Sequence, residues 1–234
     1  MLGITLARGG SKGIENKNIA FINNKPLIYY TIKEALKSNF IDDYVVSTDS
    51  KKIREISLRY GAQVPFIRPK RFSTDKASSV SALKHAVNFM EKQNKCKYDI
   101  IVELMCTNPL KDRNDIDLCI SKIVKKKADS VIAMHELTDH HPIRIKKIIN
   151  EKIYDFNLYE DPESRRQDLK PKAYIRSGSI YTLTRKHLMI DSRRYGSNKS
   201  YAYILKPEKA INIDGPDDLV LAKHKLKKLN TKSN

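Results

Sequence analysis

The chain has 234 residues, of which 40% are hydrophobic, and it carries a formal net charge of +18 at pH 7. This length suits one large domain that buries its own core without disulfide or metal cross-links. No apolar run approaches the roughly 18 residues that a membrane span needs, and residues 2–6 are too few for the apolar core of a signal peptide. The three cysteines form no CxxC pair, so we expect a reduced, cytoplasmic protein.

The positive charge could serve nucleic acid, an acidic membrane surface or small anionic substrates. Lysine is spread over the whole chain, and its densest runs, at 125–127 and 223–232, accompany no RNA- or DNA-binding motif. We therefore expect a solvated, lysine-rich surface, with neither nucleic acid nor a membrane as partner. A basic RNA-binding protein is kept as a distant alternative, and its binding would weaken steeply with salt.

Short apolar runs, typical of buried strands, alternate with amphipathic stretches that are typical of helices. The predicted strands are 2–7, 44–47, 64–67, 99–104, 130–134, 179–183 and 201–205. The predicted helices are 26–38, 51–60, a stretch striped by Val80, Leu83, Val87 and Met90, then 115–126 and 217–229. This alternation predicts an α/β fold with a doubly wound, mostly parallel, Rossmann-like sheet, and ligands at the carboxyl ends of its strands.

The first predicted strand opens into Arg-Gly-Gly-Ser-Lys-Gly at 8–13. Glycines let the backbone approach a ligand closely, and Arg8, Lys12 and Lys17 supply cations around it. A strand followed by such a loop is typical of phosphate binding, although a plain glycine turn is the alternative. The spacing matches neither GxxxxGK[ST] nor GxGxxG, which argues against a P-loop ATPase and a dinucleotide dehydrogenase.

The strand and helix pattern fails between residues 135 and 175, which are polar and basic and contain tyrosine. A stretch this long is unusual as a simple connection. It is either a mobile loop or an inserted arm that packs on another subunit.

The chain resembles the CMP-sialic acid synthetases, also called acylneuraminate cytidylyltransferases, over nearly its whole length. The segments that carry this resemblance are LARGGSKGIENKN at 6–18, VVSTDS at 45–50, RPKRFSTDKASS at 68–79, CTNPL at 106–110, RRQDL at 165–169, SGSIY at 177–181 and INIDGPDDL at 211–219. The resemblance implies a nucleotidyltransferase fold, with residues 1–234 as a single cytidylyltransferase domain and 135–175 as an inserted arm that forms a homodimer. Enzymes of this family join CTP to a nine-carbon 2-keto sugar acid and release pyrophosphate.

The resemblance also implies where CTP binds. The nucleotide-binding candidates are Arg8, Gly9, Gly10, Ser11, Lys12, Lys17, Asn18, Arg68 and Ser79. Arg8 and Lys17 are catalytic candidates as well, and Lys17 is expected to stabilise charge on the α-phosphate. Arg68 and Ser79 match positions that hold the cytidine portion. Ser79 could instead be the N-cap of the helix that follows it.

The expected cofactor is Mg²⁺. The family carries Asp-x-Asp near its C-terminus, and those carboxylates bind magnesium, whereas this chain has Asn212-Ile213-Asp214. Asp214 is therefore the expected main ligand and a catalytic candidate, and Asn212 offers a neutral oxygen. One carboxylate can suffice, because magnesium usually keeps several waters. Asp214, a magnesium-bound hydroxide and no dedicated group at all remain open as the base that deprotonates the sugar.

The substrate-binding candidates that the resemblance implies are Met105, Thr107, Arg144, Arg166, Gln167, Ser177 and Gly178. Met105 and Ser177 stand where sialic acid enzymes have glutamine and asparagine, which favours a less hydroxylated sugar face. A deoxy relative of sialic acid is therefore expected, and the chain looks closest to the legionaminic acid branch. Arg144 and Arg166 would reach the neighbouring subunit and hold the sugar carboxylate.

Two sugar alternatives stay open, N-acetylneuraminic acid and ketodeoxyoctonic acid. Enzymes for the second carry a metal-binding aspartate in a Gly-Asp-Glu-Pro-Leu context. The corresponding segment at 106–110 reads Cys-Thr-Asn-Pro-Leu and has no acidic residue, which counts against that branch.

Overall fold

A computed structural model describes residues 1–10, 13–137, 140–161 and 164–231, so the nucleotide-binding candidates Ser11 and Lys12 lie outside the described residues. The strands are β1 (Leu2–Leu6), β2 (Phe21–Ile22), β3 (Lys25–Pro26), β4 (Asp43–Ser47), β5 (Ile100–Leu104), β6 (Ser130–Glu136), β7 (Lys146–Ile149), β8 (Lys152–Asp155), β9 (Tyr174–Thr184) and β10 (Ser200–Ile204). The helices are α1 (Leu27–Ala35), α2 (Lys51–Arg59), α3 (Ser79–Asn94), α4 (Arg113–Lys126), α5 (Arg185–Met189) and α6 (Pro216–Thr231).

Six strands form one central sheet in the order β10-β6-β9-β5-β1-β4. All neighbours pair in parallel except β9, which runs antiparallel to both β5 and β6. Two apolar cores cover the sheet: Leu2 and Ile4 of β1 face one, while Val102 and Leu104 of β5 face the other. The predicted α/β fold with a mostly parallel sheet is confirmed.

The predicted strand at 64–67 is wrong. Gln63 makes a single parallel bridge with Val45 of β4, after which the chain leaves the sheet. Pro65 has no N–H to donate to a ladder, and Pro69 follows closely, so the apolar residues here form an irregular edge segment. Its end still matters to the site, because the Arg68 N–H donates to the Thr48 carbonyl at 2.7 Å and holds Arg68 beside the end of β4.

Strand β9 bends where it crosses the carboxyl ends of its neighbours. Its pairing with β6 shifts register between Ile132 and Met134, and Gly178 there adopts a φ of +58°. A left-handed conformation of this kind favours glycine. The bulge brings residues 177–179 next to the loop that follows β5.

The described residues of the segment 135–175 include the end of β6 and the β7–β8 hairpin, which pairs only with itself in the described sheets. Ile148, Ile153 and Tyr154 of this hairpin are largely exposed. The segment thus presents apolar side chains to solvent, as a surface that packs on another molecule does. Within the described ranges, no helix has the length and apolar character needed to cross a bilayer.

Candidate active site

The glycine-rich loop after β1 packs against the ends of two other segments. The Gly9 N–H donates to the Asp49 carboxylate, just beyond β4, at 2.9 Å. A Cβ on Gly13 would lie 2.5 Å from the Asp214 carbonyl oxygen, so a side chain at this position would collide with backbone. Glycine at 13 therefore lets the predicted phosphate loop lie directly beside the predicted metal ligand.

Three cations predicted from the sequence face one cavity of about 330 Å³ at the carboxyl ends of the strands. The residues lining it include Arg8, Gly13, Lys17, Asn18, Arg68, Ser73, Asp75, Ser78, Ser79, Glu103 and Met105. Cations converging on a partly enclosed cavity suit a ligand with several negative charges. Of the predicted site residues, the structure brings Arg8, Lys17, Asn18, Arg68, Ser79 and Met105 to this cavity. Their roles toward a ligand stay predictions.

Arg68 is the most buried of these cations, at 4% exposed. Its Nε donates to Ser73 Oγ at 3.0 Å, and its Nη2 lies 3.9 Å from Asp49 Oδ1. Burial lowers the pKa of Arg68, Asp49 opposes this effect, and the nearby Arg8 adds to it. The guanidinium nonetheless stays charged, because an arginine pKa is far above neutrality.

Arg8 and Asn18 show how the loop is held. The Arg8 Nη1 lies 2.6 Å from Asp75 Oδ1, across the cavity mouth, and the Asn18 amide donates to the Arg8 carbonyl at 3.1 Å. Asn18 thus fixes the backbone that carries Arg8. An incoming anion would compete with Asp75 for this guanidinium.

Ser79 is the first residue of α3, and Ser78 rather than Ser79 is the N-cap. The Ser78 hydroxyl accepts the Ser81 N–H at 3.1 Å, so the alternative of Ser79 as the cap is wrong. Both serines line the cavity at the N-terminus of a 16-residue helix. The positive end of that helix adds to the attraction for anions there.

Lys17 joins the loop to the C-terminal part of the site. Its Nζ donates to the Ile213 carbonyl at 2.9 Å and to Asp214 Oδ1 at 3.1 Å. The Asn212 amide donates to the other Asp214 carboxylate oxygen. Asp218 accepts the N–H groups of Asp214 and Gly215, both at 2.8 Å, which holds this segment at the start of α6.

The donor set at Asp214 suits a hard cation that keeps its waters. The Asp214 side chain is 68% exposed and ionisable, and the Asn212 side chain lies beside it. No group of three or more histidine, cysteine, aspartate or glutamate side chains placed to hold a metal occurs in residues 1–10, 13–137, 140–161 and 164–231. One carboxylate with phosphate oxygens and water is an ordinary magnesium environment, so the residues present fit Mg²⁺.

The predicted sugar-side residues form a second cluster beside this one. The Thr107 hydroxyl donates to the Gly178 carbonyl at 2.8 Å, and the Ile213 N–H donates to the Thr107 carbonyl at 2.8 Å. A Cβ on Gly178 would overlap the Asn212 side chain. Thr107, Gly178 and Asn212 are therefore in direct contact, although they are far apart in sequence.

Met105 and Ser177 differ in what they offer a ligand. Met105 lines the cavity, whereas Ser177 is fully buried and its hydroxyl donates to the Ala133 carbonyl at 2.8 Å. A sugar contact through Ser177 stays a prediction, and in this structure its hydroxyl supports the bend of β9.

The Lys111 side chain supports the loop that follows β5, and no sequence pattern indicated this role. The side chain is 2% exposed, and its Nζ donates to Met105 O at 2.6 Å, Asn108 O at 2.7 Å and Thr31 Oγ1 at 2.8 Å. Burial lowers the pKa of Lys111 to about 8. Three acceptors on one ammonium fix the backbone that presents Met105 and Thr107.

Three predicted substrate residues lie apart from the cavity of their own chain. Arg144 is exposed in the arm, where its Nε lies 3.3 Å from Glu160 Oε1 and its Nη2 donates to the Ser164 carbonyl. Arg166 and Gln167 are exposed in a short 3₁₀ turn of the same arm. None of the three is among the residues that line the cavity, so within one chain the structure does not bring them to the nucleotide candidates.

A sheet that ends in a glycine-rich cationic loop, with a carboxylate across from it, defines a protein of the nucleotide-binding α/β class. The family profile described as cytidylyltransferase matches residues 2–228, and the chain belongs to that family.

Curated relatives agree with this family assignment, and a solved structure matches the fold. The chain is 36% identical over 219 residues to a pseudaminic acid cytidylyltransferase of Campylobacter jejuni strain 81-176, covering 93% of this chain and 92% of the relative. It is 32% identical to an N-acylneuraminate cytidylyltransferase of Streptococcus agalactiae serotype V, covering 92% of this chain and 50% of that longer protein. The fold matches a CMP:2-keto-3-deoxy-manno-octonic acid synthetase complexed with CTP at a TM-score of 0.69, with 16% identity, covering 97% and 98% of the two chains.

Several polar residues in or beside the cavity gave no sequence signal for a role in the site. Asp49 lies beside Arg68 and Asp75 beside Arg8, and Glu103, the fourth of the five residues of β5, pairs with Arg194. A glutamate within an otherwise apolar buried strand, Ile-Ile-Val-Glu-Leu, was the one sequence signal that could have drawn attention to this pair.

Proposed function

We propose that this cytidylyltransferase joins CTP to a nonulosonic acid and releases pyrophosphate. The anomeric oxygen of the sugar acid forms a bond with the α-phosphorus of CTP, the bond from that phosphorus to the bridging oxygen breaks, and pyrophosphate leaves. The sugar hydroxyl gives up its proton to a base or to solvent. Such a transfer needs charge neutralisation and in-line positioning more than covalent chemistry.

The observation that carries this proposal is the convergence of Lys17, Arg8 and Arg68 on one cavity beside Asp214. Lys17 would stabilise the negative charge that grows on the α-phosphate, and its hydrogen bond to Asp214 supports this role. Arg8 would exchange its Asp75 contact for a phosphate oxygen, and Arg68 with Ser79 would hold the cytidine portion. The two relatives described above are themselves named as cytidylyltransferases of nonulosonic acids.

The proposed sugar is a deoxygenated nonulosonic acid, and legionaminic acid is the first candidate. Met105 lines the cavity where a glutamine would offer a polar group, so the sugar face that meets it is expected to be apolar. Pseudaminic acid is the second candidate, favoured by the 36% identity to a pseudaminic acid cytidylyltransferase. Both are deoxy relatives of sialic acid, and the same experiment separates them.

Magnesium is proposed as the cofactor, held by Asp214 with Asn212 beside it. When bound, it would neutralise phosphate charge during the transfer. Independently of the ion, Asp214 orients the Lys17 ammonium, and Asp218 fixes the backbone of Asp214 through two N–H groups.

A homodimer is proposed because the arm presents unpaired apolar side chains and cations that its own cavity does not use. Ile148, Ile153 and Tyr154 would pack on the partner, while Arg144 and Arg166 would reach the partner's sugar site. The cytoplasm is the proposed location, because the free cysteines Cys96, Cys106 and Cys119 suit a reducing compartment.

The test is pyrophosphate release from CTP and Mg²⁺ with four acids: legionaminic, pseudaminic, N-acetylneuraminic and ketodeoxyoctonic. Turnover of legionaminic acid above the other three supports the full proposal. Preference for pseudaminic acid keeps the reaction and moves the substrate to the second candidate. Turnover mainly with N-acetylneuraminic acid would contradict the role given to Met105, and no turnover with any acid would contradict the proposed reaction.

A further inference from the structure

An ion pair with a buried carboxylate lies beside the cavity. Glu103, on the central strand β5, is 2% exposed and lines the cavity. Its Oε2 lies 2.7 Å from the Nη1 of Arg194, which comes from the connection between α5 and β10. Among the residues given above as lining the cavity, Glu103 is the only carboxylate that belongs to the central sheet.

The guanidinium of Arg194 is held on a second side by aromatic rings. Its Cζ lies 4.6 Å from the ring centroid of Tyr181, and the Tyr181 and Tyr195 centroids are 6.4 Å apart. Arg176 stacks in turn on Tyr195, with its Cζ 4.8 Å from that centroid. Burial lowers the pKa of Arg194, but Glu103 more than offsets this effect, so the guanidinium stays charged.

The connection that carries Arg194 also borders a groove that joins the cavity. Residues 192–196 form this groove together with Ser78, Ser79 and Val80 at the start of α3. Ser78 and Ser79 line both spaces, so a ligand that fills the cavity can extend toward Arg194 and Tyr195. Glu103 thus lines the cavity, and Arg194 lines the groove that continues it.

A carboxylate is unexpected in a site for two anionic substrates, because it repels both of them. As a purely structural pair it would bring little net stability, since well-packed apolar residues often replace buried ion pairs without loss. What the pair does offer is one strong acceptor, on Glu103, directly beside one strong donor, on Arg194. This is the hydrogen-bonding complement of an amide, which carries one N–H and one carbonyl.

We infer that Glu103 and Arg194 are specificity-determining residues that recognise an acylamino group on the sugar acid. This inference rests on the proposed function. Glu103 accepts the amide N–H, Arg194 donates to the acyl carbonyl, and the Tyr181 and Tyr195 rings flank the acyl methyl. A sugar with a hydroxyl in place of the acylamino group lacks the carbonyl and leaves Arg194 without this partner.

The test compares steady-state constants for N-acetylneuraminic acid and ketodeoxynonulosonic acid. The second acid carries a hydroxyl where the first has an acetamido group. The same constants are measured for the deoxy acid that the enzyme turns over best. The variants are Glu103→Gln, Arg194→Lys and the doubly apolar Glu103→Leu with Arg194→Met, which leaves no unpaired charge. The acetamido over hydroxyl ratio of kcat/KM is expected to fall at least about tenfold in each. The loss should lie mostly in the KM of the sugar, with the KM of CTP unchanged.

Glu91→Gln is the matched control. Glu91 is a similarly buried carboxylate, 2.7 Å from the Nε of Arg185, but it does not line this cavity. The inference would be overturned if the acetamido over hydroxyl ratio of kcat/KM stayed at the wild-type value in Glu103→Gln and in the double variant. An equal fall of this ratio in Glu91→Gln would overturn it as well. Either result leaves the proposed function intact. Wild-type protein that turned over none of the acids would contradict the proposed function, and the inference with it.

Discussion

The Lys17 ammonium lies 3.1 Å from the Asp214 carboxylate, although the two residues are 197 positions apart. The contact joins the loop after the first strand to the segment before the last helix. Because Gly13 packs on the Asp214 backbone at the same point, the contact also sets the distance between the loop and the cation site. A bound triphosphate would meet both the ammonium and any cation held by Asp214.

Replacing Lys17 by methionine is expected to lower kcat about a hundredfold to a thousandfold, because one charged donor to the transition state is lost. Lys17→Arg keeps the charge but not the position, so it should recover part of the loss. Steady-state pyrophosphate release at saturating substrates measures both. Lys125→Met, at an exposed position of α4, is the control, and an equal loss there or full activity in Lys17→Met would contradict this role.

Asp214→Asn should raise the Mg²⁺ concentration needed for half-maximal activity, because the one carboxylate of the proposed site is lost. Asn212→Asp should lower that concentration, since it adds a second charged oxygen beside the first. Activity titrations with Mg²⁺ and direct binding of Mn²⁺ as a spectroscopic probe measure the shift. Asp217→Asn removes an exposed carboxylate of the same segment and should change neither the Mg²⁺ concentration for half-maximal activity nor Mn²⁺ binding. A shift as large as that of Asp214→Asn would refute Asp214 as the metal ligand.

Much of the site could be predicted from sequence because an α/β fold brings the loops that carry it to the same edge of the sheet. Loops that follow parallel strands meet at one edge of the sheet, so Arg8 after β1 and Met105 after β5 are expected to meet there. Arg68 was expected from the resemblance, and the contact of its N–H with Thr48 rather than a strand of its own brings it to this edge. The structure places all three around one cavity.

The rest depends on contacts that no local pattern encodes. Glu103 and Arg194 pair across 91 positions, and the second residue comes from an irregular connection. The Lys111 side chain is charged and would be expected at the surface, but three acceptors converge on it only once α1 and the loop after β5 are packed together. The strand predicted at 64–67 is wrong because the prediction relied on the apolar residues there and gave too little weight to Pro65. Proline has no N–H to donate, so the strand pairing ends at this residue.

Introducing charge into the arm should break the proposed dimer. Ile148→Glu with Ile153→Glu places two carboxylates on the exposed apolar hairpin and should shift the protein to monomer in analytical ultracentrifugation. The KM of the sugar acid should then rise about tenfold or more, with CTP affinity unchanged, because Arg144 no longer reaches a partner's site. Val124→Glu, at an exposed apolar residue of α4, should leave assembly and KM as they are. A monomeric wild-type protein would contradict the arrangement.

Glu91 should contribute to stability at neutral pH and lose that contribution in acid. Burial raises the pKa of Glu91, but hydrogen bonds from Arg185, Lys97 and the Tyr98 N–H outweigh this and lower it to about 2. A depressed carboxyl pKa stabilises the fold above about pH 4.5 and less as the pH falls toward 2. Glu91→Gln should therefore lose about 1–3 kcal/mol in urea unfolding at pH 7 and progressively less below pH 4.5. A deficit that does not change with pH would refute this.

Lys111 should destabilise the fold at neutral pH and destabilise it less as the pH becomes alkaline. Burial lowers its pKa from 10.5 to about 8, so the folded protein holds this proton less tightly than the unfolded chain does. Below about pH 8 the charged ammonium carries its full burial penalty, and between pH 8 and 10.5 the penalty is relieved as the folded state releases the proton. The unfolding free energy of wild type, relative to Lys111→Met, should therefore rise across this interval, by about 3 kcal/mol at most. Urea denaturation at pH 7, 8, 9 and 10 measures the difference. The exposed substitution Lys125→Met should give a flat difference, and a flat result for Lys111→Met would mean that the ammonium titrates as it does in water.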